Sequence, residues 1–158
     1  MTRPHGFTLV ELMVTIAVAA ILITIAVPGF QALVQNNRAT ALANQLTTAI
    51  NLARSEAIRR GEVASVCTND WEDGWWVEPS AGCNAAAADR LRVWDAPPAR
   101  SVINAGGETS VSFGPMGTRE DQNAITFNVH AENCTGDRAR ILRISPGGRV
   151  GVERTACP

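Results

Sequence analysis

The sequence has no tyrosine and no lysine, and its 158 residues include only two histidines, His5 and His130. With those groups scarce, acid–base or nucleophilic chemistry has few carriers. The chain also shows no nucleophile elbow, no phosphate-cradling glycine-rich loop and no carboxylate pair at an informative spacing. Catalysis is not expected, and neither is a cofactor. The four cysteines, Cys67, Cys83, Cys134 and Cys157, form no Cys-x-x-Cys pair, and His130 is the only histidine near them in sequence, so a zinc site is not expected either. Net charge is nearly absent: the formal value is −1, and the fourteen basic residues are all arginine. There is no global basic excess of the kind that predicts nucleic-acid binding.

What the sequence does contain is a long apolar run. From Phe7 to Val27 it reads FTLVELMVTIAVAAILITIAV, with Glu11 as its one charge. As a helix this run rises roughly 30 Å, about the thickness of one hydrocarbon core. An ionised carboxylate five residues into a span costs about 2.5 to 3.5 kcal/mol even on lenient insertion scales. A partner for Glu11 is therefore expected, unless it reaches the headgroups. An ordinary secretory signal fits poorly, because Glu11 interrupts the apolar core and Ala17-Val18-Ala19 lies too deep within it to be a cleavage site.

The junction Gly6-Phe7-Thr8-Leu9-Val10-Glu11-Leu12 resembles the class III leader junction of type IV pilins and type II secretion pseudopilins. The resemblance implies cleavage after Gly6 by a prepilin peptidase and methylation of the new terminal Phe7. It also implies that Glu11 pairs with the terminal amine of a neighbouring subunit. Physical chemistry is consistent with this, since an ammonium and a carboxylate meeting in low dielectric relieve each other's isolation. Loss of residues 1–6 removes Arg3 and takes the formal charge from −1 to −2 before the new amine is counted.

By this reading residues 1–6 are a leader, 7–28 a transmembrane helix, 29–60 an amphipathic helix and 61–158 a β-rich globular head. Arg3 places the head outside the cytoplasm by the positive-inside rule. The single-pass chain would then sit in a bacterial inner membrane, with its head in the periplasm, before entering a filament. In that oxidising compartment the cysteines are expected to pair. Three pairings are possible; Cys67–Cys83 with Cys134–Cys157 is favoured because each closes a short local excursion, contributing roughly 3 kcal/mol in the chain-entropy model.

Pro28-Gly29 predicts a kink, after which Leu42, Leu46, Ile50, Ala53 and Ala57 recur at helical spacing, with Asn44, Thr48, Ser55 and Arg59 facing away. Gly61 is a stop signal. Downstream the period changes to two, giving candidate strands at 62–67, 74–78, 90–94, 101–104, 110–113, 124–130, 138–145 and 149–154. Residues 85–88 read as a loop insertion. The expected fold class is α+β, a long N-terminal helix packed on an antiparallel β-sheet head, as in the pilin fold.

In the last hairpin, setting Leu142, Ile144, Val150 and Val152 toward the core requires Ile144 opposite Val150. Pro146-Gly147-Gly148 then forms a three-residue loop with Gly148 left-handed. Arg143 and Arg149 fall on the outward face near the turn, while Arg140 and Arg154 pair at the far end and must reach past the edge of the core face. Among the tryptophans, one of the adjacent pair Trp75 and Trp76 is expected in the core and the other at a contact between heads, with Trp71 as a seal on the Cys67–Cys83 loop.

Three further segments, Arg54-Ser55-Glu56-Ala57-Ile58-Arg59-Arg60, Trp71-x-x-Gly74-Trp75 and Ile144-Ser145-Pro146-Gly147-Gly148-Arg149-Val150, resemble the minor-pilin branch called FimT, FimU or GspH. That resemblance implies a low-abundance subunit near the filament tip that helps to prime assembly, with other pilins or pseudopilins as partners. Some relatives in natural transformation bind DNA through a C-terminal Gly-Arg-x-Arg element. Here the match is Gly148-Arg149-Val150 followed by Gly151, so Arg143, Arg149, Arg140 and Arg154 are the DNA-binding candidates.

Overall fold

The computed structural model describes residues 7–158. Its first element is one helix, α1, spanning Leu9–Arg60, whose assignment continues unbroken through Pro28. Eight strands follow: β1 Ala64–Cys67, β2 Trp75–Glu78, β3 Arg92–Trp94, β4 Ser101–Asn104, β5 Ser110–Phe113, β6 Ile125–Ala131, β7 Ala139–Ile144 and β8 Val150–Thr155. They form two four-stranded antiparallel sheets, ordered β3-β2-β1-β5 and β4-β6-β7-β8. The segment read as a loop insertion carries a short 3-10 turn, Ala87–Asp89.

The chain divides into an N-terminal unit ending at Val34 and a second unit, Gln35–Pro158. In the first, the apolar side chains from Phe7 to Phe30 are exposed. This stretch of α1 is long and apolar enough to cross a bilayer. In the second unit α1 turns amphipathic: Leu42, Leu46, Ile50, Ala53 and Ala57 are buried, whereas Asn44, Thr48, Ser55 and Arg59 are exposed. Ala39, Ala43 and Ala49 widen the buried stripe.

That stripe joins one apolar cluster fed by both sheets: Val66, Trp75, Val77, Val111 and Phe113 from the first, Phe127, Val129, Leu142 and Ile144 from the second. β6 alternates buried and exposed residues along its length, so one face packs and the other is wet. Two cystines, Cys67–Cys83 and Cys134–Cys157, close loops of 16 and 23 residues' separation. Gly61 ends α1 with a left-handed φ of 72° and donates its N–H to the Ala57 carbonyl.

The last hairpin departs from expectation in one respect. Ile144 pairs with Val150, and Ser145 and Arg149 close Pro146-Gly147-Gly148 into a three-residue loop with Gly148 at φ 76°. Leu142 and Ile144 are buried, but Val150 is only half-buried and Val152 is 43% exposed. β8 is the sheet's outer strand, whereas β7 meets α1 through Arg140 with Asn36 and Thr40. Period-two parity gives the face of a residue, not whether anything covers it.

Candidate functional site

The N-terminal end of α1 is organised by Thr8. Its Oγ1 accepts the Glu11 N–H at 3.2 Å and its carbonyl accepts the Leu12 N–H, the Thr-x-x-Glu arrangement that begins a helix. Glu11 therefore sits in the first turn, where a carboxylate also complements the helix dipole. Its side chain is exposed, and no cation pairs with it among the described residues. Phe7 is exposed just before the helix. The expected cleavage position, Gly6, lies outside the described residues.

At the opposite end of α1 three chain segments converge. Arg54 donates from Nε to the Gly117 carbonyl at 2.9 Å and from Nη2 to the Gly147 carbonyl at 3.4 Å. The Arg119 N–H bonds the Pro146 carbonyl at 2.8 Å. A Cβ on Gly148 would lie 2.1 Å from the Gly117 carbonyl, and one on Gly117 would meet Ile58 at 2.6 Å. Only glycine allows these backbones to approach so closely, and at both positions φ is positive as well.

The hairpin holds its four arginines in different ways. Arg140 and Arg154 are paired across β7 and β8, and each is held by hydrogen bonds within the chain, Arg140 half-buried and Arg154 exposed. Arg140 is half-buried, donating to Asn36 Oδ1 at 2.7 Å and Thr40 Oγ1 at 2.9 Å. Burial, with Arg154 nearby, lowers its pKa from the usual arginine value. Arg154 donates to the Asp137 carbonyl. Arg143 pairs with Glu153 at 3.1 Å on the exposed face. Arg149 is exposed and has no ion-pair partner among the described residues.

The tryptophans are placed differently from the sequence reading in two cases. Of the adjacent pair, Trp75 is the one in the core. Trp76 points to the other face of its sheet yet is buried, because the segment after β2 folds over it. Its Nε1 donates to Glu78 at 2.8 Å and the Arg90 guanidinium stacks 3.9 Å above its ring. It is thus not a contact between heads. Trp71 does not seal the first cystine loop: it packs edge-on against Phe127 at 4.9 Å and donates to the Glu108 carbonyl at 2.6 Å.

Glu78, absent from the sequence reading, is the organiser of that covering segment. It is fully buried, and burial alone would push its pKa up. Hydrogen bonds from Ser80, from Trp76 and from the backbone N–H groups of Ala85 and Asn84 outweigh this and hold it below its ordinary value. Only its place in a strand of otherwise apolar residues, Trp-Trp-Val-Glu, hinted at this role. Arg119 is similarly buried and grips Asp121, whose own pKa is held low: burial opposes this, but the Arg119 hydrogen bonds prevail.

Comparison with known proteins agrees with this architecture. The family model described as type II transport protein GspH matches residues 42–148, and the prokaryotic N-terminal methylation motif matches residues 1–27. The structure is similar to the crystal structure of the Pseudomonas aeruginosa type IV minor pilin FimU, at 25% identity and a TM-score of 0.64. The match covers 74% of this chain and 89% of that one. A second crystal form of FimU gives a TM-score of 0.61 at 24% identity, covering 72% and 91%. None of the curated proteins matches the chain. An apolar exposed N-terminal helix begun by a methylation motif, carrying a two-sheet head of this family, makes the chain a member of the GspH family of pilin and pseudopilin subunits.

Proposed function

We propose that this chain is a minor subunit of a type IV pilus, carried first by the inner membrane and then inserted near the filament tip, where it helps to prime assembly. A prepilin peptidase would cut after Gly6, and methylation would follow at Phe7. The observation that carries the proposal is Glu11. It is a lone carboxylate in the first turn of an exposed apolar helix, four residues after the amine that cleavage would create, with no cation of its own among the described residues. A neighbouring subunit's terminal ammonium meets that need in a low-dielectric setting and fixes the axial register of the pair. Likeness to FimU favours the pilus over a secretion pseudopilus, the setting that the family description names.

A DNA-contacting hairpin is the other reading raised by the sequence. Three of its four arginines are engaged within the chain, which leaves Arg149 as the free donor and favours the subunit reading.

The test replaces Glu11→Ala and measures the subunit in sheared filaments and in membranes. The expected result is normal membrane insertion with incorporation reduced at least about tenfold, in line with losing an ion pair desolvated in lipid. Unchanged incorporation would overturn the proposal.

A further inference from the structure

At the end of the head where α1 enters it, arginine side chains gather without acidic partners, and we propose that they bind the phosphates of anionic lipid headgroups. This inference rests on the membrane-carried stage of the reading above and names the surface that meets the bilayer at that stage.

The depth of this surface follows from α1. The helix carries no charge from Leu12 to Asn37, and its large apolar side chains stay exposed as far as Leu33. Arg38 is the first charge beyond them. It follows Leu33 by five residues, roughly 7.5 Å of helical rise, which is about the depth of one headgroup layer. Side chains on a helix also lean toward its N-terminus, here toward the lipid.

Three strands bring further arginines to the level of Arg38. Arg38 itself donates to the Ala99 carbonyl at 3.3 Å, just before β4. Arg140, at the start of β7, meets Asn36 and Thr40, which flank Arg38 in the sequence. Arg154, near the end of β8, lies opposite Arg140, and its Nε bonds the Asp137 carbonyl beside Arg138.

These charges are uncompensated. Like charges directly opposite on neighbouring strands repel, and Arg154 adds to burial in lowering the Arg140 pKa. Arg38, Arg138, Arg140 and Arg154 donate only to neutral oxygens, and none has an ion-pair partner among the described residues. Arg38, Arg138 and Arg154 each commit a single nitrogen, so donors remain free as well as charge. Of the acids at this end, Glu132 is taken by Arg100, and Asp137 is bound through its main chain. A guanidinium fits a phosphate with two parallel hydrogen bonds. The chain's own span keeps lipid phosphates beside these residues, which singles out a headgroup over a soluble anion. Bound in this way, the head would keep one orientation over the bilayer until assembly lifts it out.

The experiment reconstitutes the full chain in lipid nanodiscs of phosphatidylcholine, with or without phosphatidylglycerol. Amide hydrogen exchange in residues 98–101 and 136–140 should be slower in the anionic discs, and native mass spectrometry should find phosphatidylglycerol retained in preference. Arg38→Gln and Arg154→Gln should each lower that preference about fivefold, with both cystines intact. Arg149→Gln, at the far end of the last hairpin, should leave it unchanged. Equal exchange in the two discs, no lipid preference, or an equal fall with Arg149→Gln would overturn the inference. Displacement of the retained lipid by inorganic phosphate or by duplex DNA would overturn the choice of a headgroup. Filament incorporation is a separate readout. A chain that shows the preference but never enters filaments rejects the filament reading alone, and one that enters them without the preference rejects this inference alone.

Discussion

Glu78 shows how a single residue couples the head to pH. Its pKa is lowered from the ordinary value of 4.5 on folding, so its contribution to stability is complete above that value and is lost as the pH falls through the lower folded value. The thermal melting temperature of the head is expected to fall as the pH drops below that ordinary value. Glu78→Gln should be less stable at neutral pH and show a flatter acid limb. A melting curve with the same acid limb in both proteins would remove Glu78 from this role. Gly148 is the second residue of note. Gly148→Ala meets both a left-handed φ and the Gly117 carbonyl, so a loss of at least about 2 kcal/mol is expected in denaturant unfolding.

At the scale of elements, Trp71 and Phe127 join the loop after β1 to the second sheet through an edge-to-face contact. Phe127→Ala should cost about 3 to 5 kcal/mol, because it removes a fully buried ring and the edge-to-face contact that it makes with Trp71. Equilibrium unfolding by urea, followed by tryptophan fluorescence, measures it. Elements were also where the sequence was most legible. Alternation in Ile125-Thr126-Phe127-Asn128-Val129 and the helical spacing of Leu42, Leu46 and Ile50 report directly which face is buried. All eight strands appear within two residues of their expected ends. What stayed hidden depends on tertiary cover: Val152 has the parity of the core face but no neighbour over it, while Trp76 has outward parity and is roofed by residues brought there through Glu78. The commitment of Arg140 to Asn36 and Thr40, about a hundred positions away in sequence, likewise follows from packing that no local pattern encodes. Glu11 was legible because a charge within an apolar run stands out without any tertiary information.

For the whole molecule, the division at Val34 and Gln35 has a practical meaning, since the apolar cluster and both cystines lie in the second unit. A chain beginning at Gln35 is expected to fold without detergent, with no free thiol by mass spectrometry and a cooperative melt. Aggregation or scrambled pairing would show that the first unit contributes to the core. The exposed turn Ala87–Asp89, bounded by the Cys83 cystine on one side and β3 on the other, lies outside the apolar cluster and takes no part in the α1 stripe. A small fluorescent label inserted at that turn would let single filaments be watched in living cells, counting this subunit and timing its arrival without disturbing growth.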